Sequence, residues 1–365
     1  MRVLQVGPYG PPHGGVQANL SAIRSALLAR GDTCPVLVLR RSIDTEGEEP
    51  DIFRPGSVLQ LTWLLWKIRY DVIHLHIGGN LTLRLLGLAL LCTLVPGRRT
   101  VLTFHSGGYP TSHAGKNARP MTLRGFVFRR LTRIIGVNEQ IVETFRRFGV
   151  CAEKVRLIYP YSFCLPSRQT IIPEEWQSFF RAHSPVLISV GLLEPEYDLA
   201  LQIEVLDLVR EQFPKAGLIL IGSGSLEEVL RGRIAETTYA RQILLCGDVA
   251  HDLTLRVMER CDLMLRTTLY DGDSISVREA LHLGLPVVAT DTAVRPEGVD
   301  VIPAADVKAL HGAIKRGLAR GRWPQDEGMD GQANIRAVLA LYQEVLGGHL
   351  GTPEDSVDAS LGRLH

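Results

Sequence analysis

Short, almost wholly apolar runs recur along this chain, each followed by a segment whose apolar residues return every three or four positions. Val3–Val6 leads through a glycine-rich turn into Val16, Leu20, Ile23 and Leu27, which share one helix face, and Gly31 stops that helix. Further runs of strand length are Pro35–Leu39, Val72–Leu75, Val101–Phe104, Ile134–Val137 and Val155–Ile158. A second series holds Val186–Val190, Leu218–Ile221, Ile243–Leu245, Leu263–Leu265, Pro286–Ala289 and Val299–Ile302, with helix patterns such as Leu199–Gln212 and Leu226–Ala235 between them. A strand apolar on both sides must be buried on both faces, so the fold class is α/β, built on parallel sheets covered by helices.

The two series imply two Rossmann-like units, residues 1–165 and 166–334, joined where Pro160, Pro166, Pro173 and Pro185 gather. A helix pattern at 335–347 can return to the first unit, and 348–365 is a flexible tail. Two such sheets facing each other leave a central cleft at the carboxyl ends of their strands, where this architecture places ligands.

Composition removes other classes. With 45% apolar and 22% charged residues, the chain is neither disordered nor fibrous. Its six cysteines (Cys34, Cys92, Cys151, Cys164, Cys246, Cys261) form no Cys-x-x-Cys pair and read as reduced core thiols of a cytoplasmic protein. The apolar start is too short for a signal-peptide core. The longest apolar stretch, Leu85–Val95, falls well short of the roughly 20 residues a spanning helix needs. It reads as a buried helix, or as one touching a membrane surface.

Net charge is only +1, yet residues 1–165 hold 21 Lys and Arg against 10 Asp and Glu, a balance of +11. The remainder holds 19 against 29, a balance of −10. Cations gather at Arg40-Arg41, Arg98-Arg99, Arg124, Arg129-Arg130, Arg133 and Arg146-Arg147, with Phe126 and Phe128 among them. The asymmetry reads either as a solvated basic surface or as docking on anionic lipid, which places the protein peripherally on the inner face of the membrane. No nucleic-acid motif accompanies the charge, so no nucleic-acid partner is expected.

Five loops after strands carry the chemistry. Gly7–Gly15 ends in Gly14-Gly15 before a helix, which suits close approach of an anion; it lacks the Gly-x-Gly-x-x-Gly spacing of a dinucleotide site. His74 and His76 share a strand face, but with no third ligand placed they make no metal site. His105, before Gly107-Gly108, is either a hydrogen-bonded structural histidine or a polar group touching substrate. Gly222-Ser-Gly224 reads as a glycine turn before an anion-ready helix start near Ser225. The fifth loop is the richest: Asp271 and Asp273 precede Ser274-Ile275-Ser276, whose amides and hydroxyls suit a diphosphate, and Arg278 and Glu279 follow. Glu279, about a turn inside the helix, suits the vicinal hydroxyls of a ribose, and Asp271 can reach sugar hydroxyls. The alternative is a carboxylate that merely caps an ordinary helix.

With these residues in hand, the chain resembles the family-four retaining glycosyltransferases of the GT-B fold. The resemblance covers roughly residues 1–345 and is strongest in 186–303. It rests on Gly14-Gly15, His105, Val190-Gly191, Gly222-Ser-Gly224, Cys246-Gly-Asp-Val249 and the Glu279-Ala280 to Gly284–Ala289 stretch taken together. It implies transfer of a sugar from a nucleotide diphosphate, a co-substrate rather than a cofactor, with no metal. The acceptor is a saccharide or polyprenyl-linked, held by the first unit, while the second binds the donor. It implies donor contacts at Asp271 and Glu279, the base near Asp248 and Val249, and the sugar side at Gly14, Gly15 and His105. The chain departs from the family where an arginine and a lysine usually meet the diphosphate: here stand Leu192 and Tyr197. A charge-assisted hydrogen bond is worth about 1.5–3 kcal/mol, so a substitute is needed; Arg278, Arg266 and Arg295 are the candidates. Two rival readings remain, a non-catalytic binding protein on the same fold and a nucleotide-sugar 2-epimerase.

Overall fold

The computed structural model describes residues 1–10, 14–39, 51–79, 81–160, 166–324 and 332–347. Pro11, Pro12 and His13 of the first glycine loop, Arg40 and Arg41 of the basic set, Cys164 and the 348–365 tail lie outside the described residues.

The first half runs β1 (Val3–Gly7), α1 (Gly15–Ala29), β2 (Val36–Val38), β3 (Ile52–Phe53), α2 (Val58–Lys67), β4 (Val72–Ile77), α3 (Leu83–Thr93), β5 (Arg99–Phe104), α4 (His113–Lys116), α5 (Leu123–Arg130), β6 (Arg133–Gly136), α6 (Glu139–Arg147) and β7 (Val155–Leu157). Its seven strands lie in the order β3-β2-β1-β4-β5-β6-β7, all parallel. The second half runs α7 (Glu174–Ala182), β8 (Val186–Val190), α8 (Leu199–Gln212), β9 (Gly217–Ile221), α9 (Glu227–Ala235), β10 (Ile243–Gly247), α10 (His251–Met258), β11 (Leu263–Arg266), α11 (Ile275–His282), β12 (Val287–Thr290), β13 (Asp300–Ile302), α12 (Val307–Arg320) and α13 (Ala333–Val345). Its six-stranded sheet, β10-β9-β8-β11-β12-β13, is also parallel.

Right-handed crossovers decide which helix covers which face. From β3 to β4, β5, β6 and β7 the chain steps one way across the first sheet, so α2, α3, α5 and α6 share a face. There Leu64, Leu86, Val127, Phe128 and Phe145 form one core. The step from β1 to β2 runs the other way and puts α1 on the opposite face, where Ile23 and Leu27 meet Ile335, Val338, Leu341 and Tyr342 of α13. The last helix therefore completes the first sheet's core, not the second's. Burying such side chains is worth about 1.5–3 kcal/mol each, and Arg133 to Glu344, 2.6 Å, adds an ion pair.

Two details differ from expectation. Cys34, Cys92 and Cys261 are buried free thiols, but Cys151 is exposed just after the α6 turn. The Leu85–Val95 stretch forms most of α3, yet only Leu86, Ala89 and Cys92 of the helix are buried, because the helix covers a sheet on one side only.

Candidate active site

The carboxyl ends of both sheets meet across a cleft, and backbone touches backbone there. Gly107 and Gly108 follow β5, and Gly272 follows β11. A Cβ at Gly107 would stand 1.9 Å from the Asp271 carbonyl oxygen, and one at Gly272 would stand 2.6 Å from that of His105. Asn138 caps α6, accepting from the Ile141 amide at 2.9 Å, and its side-chain amide donates across the cleft to the Gly272 carbonyl.

Two helix N-termini converge on this cleft. Gly14 is the uncapped N-cap of α1, and a Cβ there would meet nothing within 4 Å. At Gly15 it would meet the Ile275 side chain at 3.6 Å, which is the first residue of α11. Ser274 caps α11 through the Val277 amide, leaving the Ile275 and Ser276 amides without intrahelical acceptors. Both dipoles present their positive ends to one place. The Ser276 hydroxyl donates to the Val190 carbonyl at 3.2 Å, so it supports the turn rather than lying open to a ligand.

The arginines are spoken for by carboxylates of the same loop. Asp271 accepts from Arg266 at 2.9 Å and Arg295 at 2.8 Å, and its second oxygen accepts from the Gly272 amide at 3.0 Å. Burial works against its charge, but the two guanidinium groups outweigh it and hold its pKa below the usual range. Both of its oxygens are thus engaged by groups of the second half. Arg278 shares its Nε–H between both Asp273 carboxylate oxygens at 2.8 Å and lies 4.3 Å over the Tyr159 ring from the other half of the chain. Burial raises the Asp273 carboxyl to about 6 against the pull of Arg278. Arg266 reaches the Val190 carbonyl at 2.9 Å, the acceptor Ser276 also uses, and lies 4.7 Å over the Tyr197 ring. Tyr197 thus supports a cation instead of supplying one. Three guanidinium groups thus answer Asp271 and Asp273 beside the α11 start, while Glu279 inside the helix is answered by His251.

Glu279 is buried and hydrogen-bonded to His251 Nε2 at 2.6 Å. Burial disfavours the charged imidazole of His251, but the hydrogen bond and charge of Glu279 prevail and raise its pKa. The stability from that raised pKa is complete below the ordinary histidine value and is lost as pH rises through the folded one. The stability difference between wild type and His251→Gln, followed by urea unfolding, is therefore expected to shrink from mildly acidic to alkaline pH.

The glycine turn at Gly222-Ser-Gly224 behaves differently from its reading in sequence. Gly222 has φ +141, and a Cβ there would overlap the Gly191 carbonyl oxygen at 1.7 Å; at Gly224 it would meet Leu193 backbone at 2.5 Å. These glycines let neighbouring loops pack. The Ser225 amide and hydroxyl already hold the chain's own anion, Glu194, at 2.9 and 2.5 Å, and α9 begins two residues later. Asp248 is exposed, whereas the Val249 side chain joins the core, so only backbone at Val249 is available to a base.

His105, half-buried at the end of β5, closes a hydrogen-bonded row. His74 contacts Thr103 at 2.7 Å and Tyr342 at 2.5 Å; Tyr342 accepts from Gln5 at 3.3 Å; Gln5 accepts from His76 at 2.6 Å; His76 Nδ1 meets His105 Nε2 at 3.4 Å. Burial drives His74 and His105 down to about 3 and His76 well below its ordinary value, so the row is neutral. The Gln5 carbonyl demands a proton on His76 Nε2, which makes His76 Nδ1 an acceptor for His105 Nε2–H. His105 Nδ1 is then left as a lone-pair acceptor.

Residues 13–161 match the model described as Glycosyltransferase Family 4, and 172–315 match that described as Glycosyl transferases group 1. The chain belongs to the family-four glycosyltransferases of the GT-B fold. Among curated relatives, it is 27% identical over 188 residues to the amylovoran biosynthesis glycosyltransferase AmsK of Erwinia amylovora, a match covering 47% of this chain and 44% of that one. It is 26% identical over 165 residues, 44% of this chain and 39% of the other, to the uncharacterized glycosyltransferase MJ1059 of Methanocaldococcus jannaschii. The chain thus spans less than half the length of these relatives. Among solved structures, Anabaena HepE in complex with UDP and glucose superposes with TM-score 0.65 at 19% identity, covering 95% of this chain and 98% of that one. Sucrose-phosphate synthase from Thermosynechococcus elongatus superposes with TM-score 0.65 at 18% identity, over 95% and 100%. Within this GT-B frame, several site residues had no local signal in sequence: His251, Asn138, Gln5 and Tyr342 reach the cleft only through distant pairings.

Proposed function

We propose that this chain transfers a sugar from a nucleotide diphosphate to a saccharide or polyprenyl-linked acceptor held by the first half. One observation carries the reading: the N-termini of α1 and α11 converge across the cleft beside Arg266. That is the environment a diphosphate leaving group needs as its charge develops. Arg266, propped by Tyr197 and paired with Asp271, contributes its charge through space where the cations at 192 and 197 are missing. Glu279 meets the ribose, in exchange for part of its bond to His251, and neutral His105 accepts from a sugar or acceptor hydroxyl. Complexes of HepE with UDP and glucose support a nucleotide-sugar donor. Retention of configuration, a hexosyl donor and a reaction without metal or resident cofactor belong to the same proposal, as does a cytoplasmic place beside the membrane.

Calorimetry with uridine, guanosine and adenosine diphosphates and their sugars tests it. One of these series is expected to bind, and Glu279→Gln is expected to weaken that binding about tenfold, the value of a charge-assisted hydrogen bond. Unchanged affinity removes Glu279 from the donor site. A product formed from donor alone identifies an epimerase instead, and binding without turnover identifies a degenerate, non-catalytic protein.

A further inference from the structure

The polar row behind His105 runs through the interior of the first half and ends on the last helix of the chain. Gln5 of β1, His74 and His76 of β4, Thr103 of β5 and Tyr342 of α13 are all buried. Around Tyr342 the contact between α13 and the first sheet is otherwise apolar, with Ile335, Val338 and Leu341 against Val3, Val72 and Val101. A hydroxyl placed there needs partners, and it finds them in the row.

The His74 and His76 ring centroids stand 4.1 Å apart. Repulsion and burial both exclude two imidazolium ions at that spacing, so the row works through neutral tautomers. A neutral imidazole has one N–H and one lone pair, so a bond made at one nitrogen settles the other. Two proton arrangements then satisfy the whole row. In the first, Gln5 Nε2 donates to Tyr342, Tyr342 donates to His74 Nδ1, and His74 Nε2–H donates to Thr103. On its other side Gln5 Oε1 accepts from His76 Nε2–H, and His105 Nε2–H donates to His76 Nδ1. Turning the Gln5 amide over reverses every one of these bonds. His76 Nδ1–H would then donate to His105 Nε2, and His105 Nδ1 would carry a proton. The first arrangement offers the cleft an acceptor and the second a donor; the Gln5 amide decides which.

We propose that Tyr342 and Gln5 are positioning residues for His105: the docked last helix holds the Gln5 amide in the first orientation, so that His105 presents a lone pair to a substrate hydroxyl. The consequence for turnover rests on the proposed sugar transfer; the tautomer of His105 does not.

The test is ¹⁵N NMR of the full chain with labelled histidine, without substrate, the His105 signals being assigned by their loss in His105→Asn. Wild-type His105 is expected to carry its proton on Nε2. Tyr342→Phe keeps the ring and removes the hydroxyl, so the two ends of the Gln5 amide lose their distinction and His105 is expected to show both tautomers. Gln5→Leu cuts the row beside His76 and should give a mixture too, to which adding Tyr342→Phe changes nothing further. Leu341→Ala loosens α13 without touching the row; it should lower the melting temperature and leave the tautomer as in wild type. With donor and acceptor present, Tyr342→Phe should lower kcat about twofold or more, by the share of molecules in the wrong tautomer, at unchanged nucleoside diphosphate affinity. Wild-type His105 protonated on Nδ1 overturns the inference. So does a single tautomer retained in Tyr342→Phe or in Gln5→Leu, or a mixture that Leu341→Ala produces equally. The spectra need no substrate, so a chain that transfers no sugar counts against the proposed function alone.

Discussion

Asp271→Asn is expected to destabilise the second half by about 3–5 kcal/mol, the usual consequence of removing one partner from a buried ion pair. Arg266, Arg295 and Asp271 are all nearly inaccessible, and this one carboxylate holds both guanidinium groups. Without its charge, two cations remain against neutral acceptors, the carbonyls of Val190 and Thr290. For a unit of 150–250 residues, each kcal/mol moves the melting temperature roughly 2–4 °C, so a drop of roughly 6–20 °C is expected by calorimetry. The wild type shows the same dependence on its acid side: because the Asp271 pKa is depressed, its stabilisation is complete above the ordinary carboxylate range and lost as pH falls through the folded value. Adding Arg266→Met to Asp271→Asn removes one of the two stranded cations and is expected to restore part of the stability but not donor affinity. That split separates the structural work of the triad from its part in holding a diphosphate. A wild-type melting temperature for Asp271→Asn contradicts the pairing.

The same cluster shows what could and could not be read beforehand. Strands such as Val186–Val190 and Leu263–Leu265 announce themselves because a strand buried on both faces has nowhere to put a polar residue. The helix start at Ser274 is legible for an equally local reason, a capping hydroxyl just before an apolar-periodic segment. Strand β3 is not, since two half-buried residues, Ile52 and Phe53, carry no periodicity. Nor is the destination of a side chain. The absence of cations at 192 and 197 is plain in the sequence, but Arg266, Arg278 and Arg295 compete equally there. Only geometry shows that Arg278 goes to Asp273 while Arg266 shares the Val190 carbonyl with Ser276. Likewise Glu194 fills the supposed anion site at Ser225 from 31 residues away. Local pattern sets elements and their ends; pairings between elements are set by topology, which brings loops from different strands to one edge.

Gly107→Ala is expected to leave folding close to wild type and to weaken donor binding only by the share that α1 contributes, while lowering kcat about a hundredfold or more. Gly107 is not at a positive φ, so alanine imposes no backbone strain of its own. Its consequence lies across the cleft, where the new methyl would stand 1.9 Å from the Asp271 oxygen, 2.0 Å from its carbonyl carbon and 2.1 Å from the Gly272 nitrogen. Backbone on both sides leaves no flexible side chain to yield, so the halves must part by an ångström or more. The diphosphate-binding elements of the second half keep their positions relative to one another, so nucleotide binding measured by calorimetry should persist, weakened by the withdrawal of the α1 N-terminus. What is lost is register: His105, two residues earlier, no longer meets the loop that carries Asp271 and Gly272, and the Asn138 bond to the Gly272 carbonyl breaks. A misplacement of about 1 Å between reacting groups costs on the order of a hundredfold in rate, and parting the halves also admits water. Gly107→Ser should be at least as impaired, whereas Gly87→Ala on α3, where a Cβ would meet nothing within 4 Å and φ is not positive, should retain the closed contact. Full turnover by Gly107→Ala would show that transfer proceeds with the halves apart, and that the contact between Gly107 and Gly272 is no part of the reacting geometry.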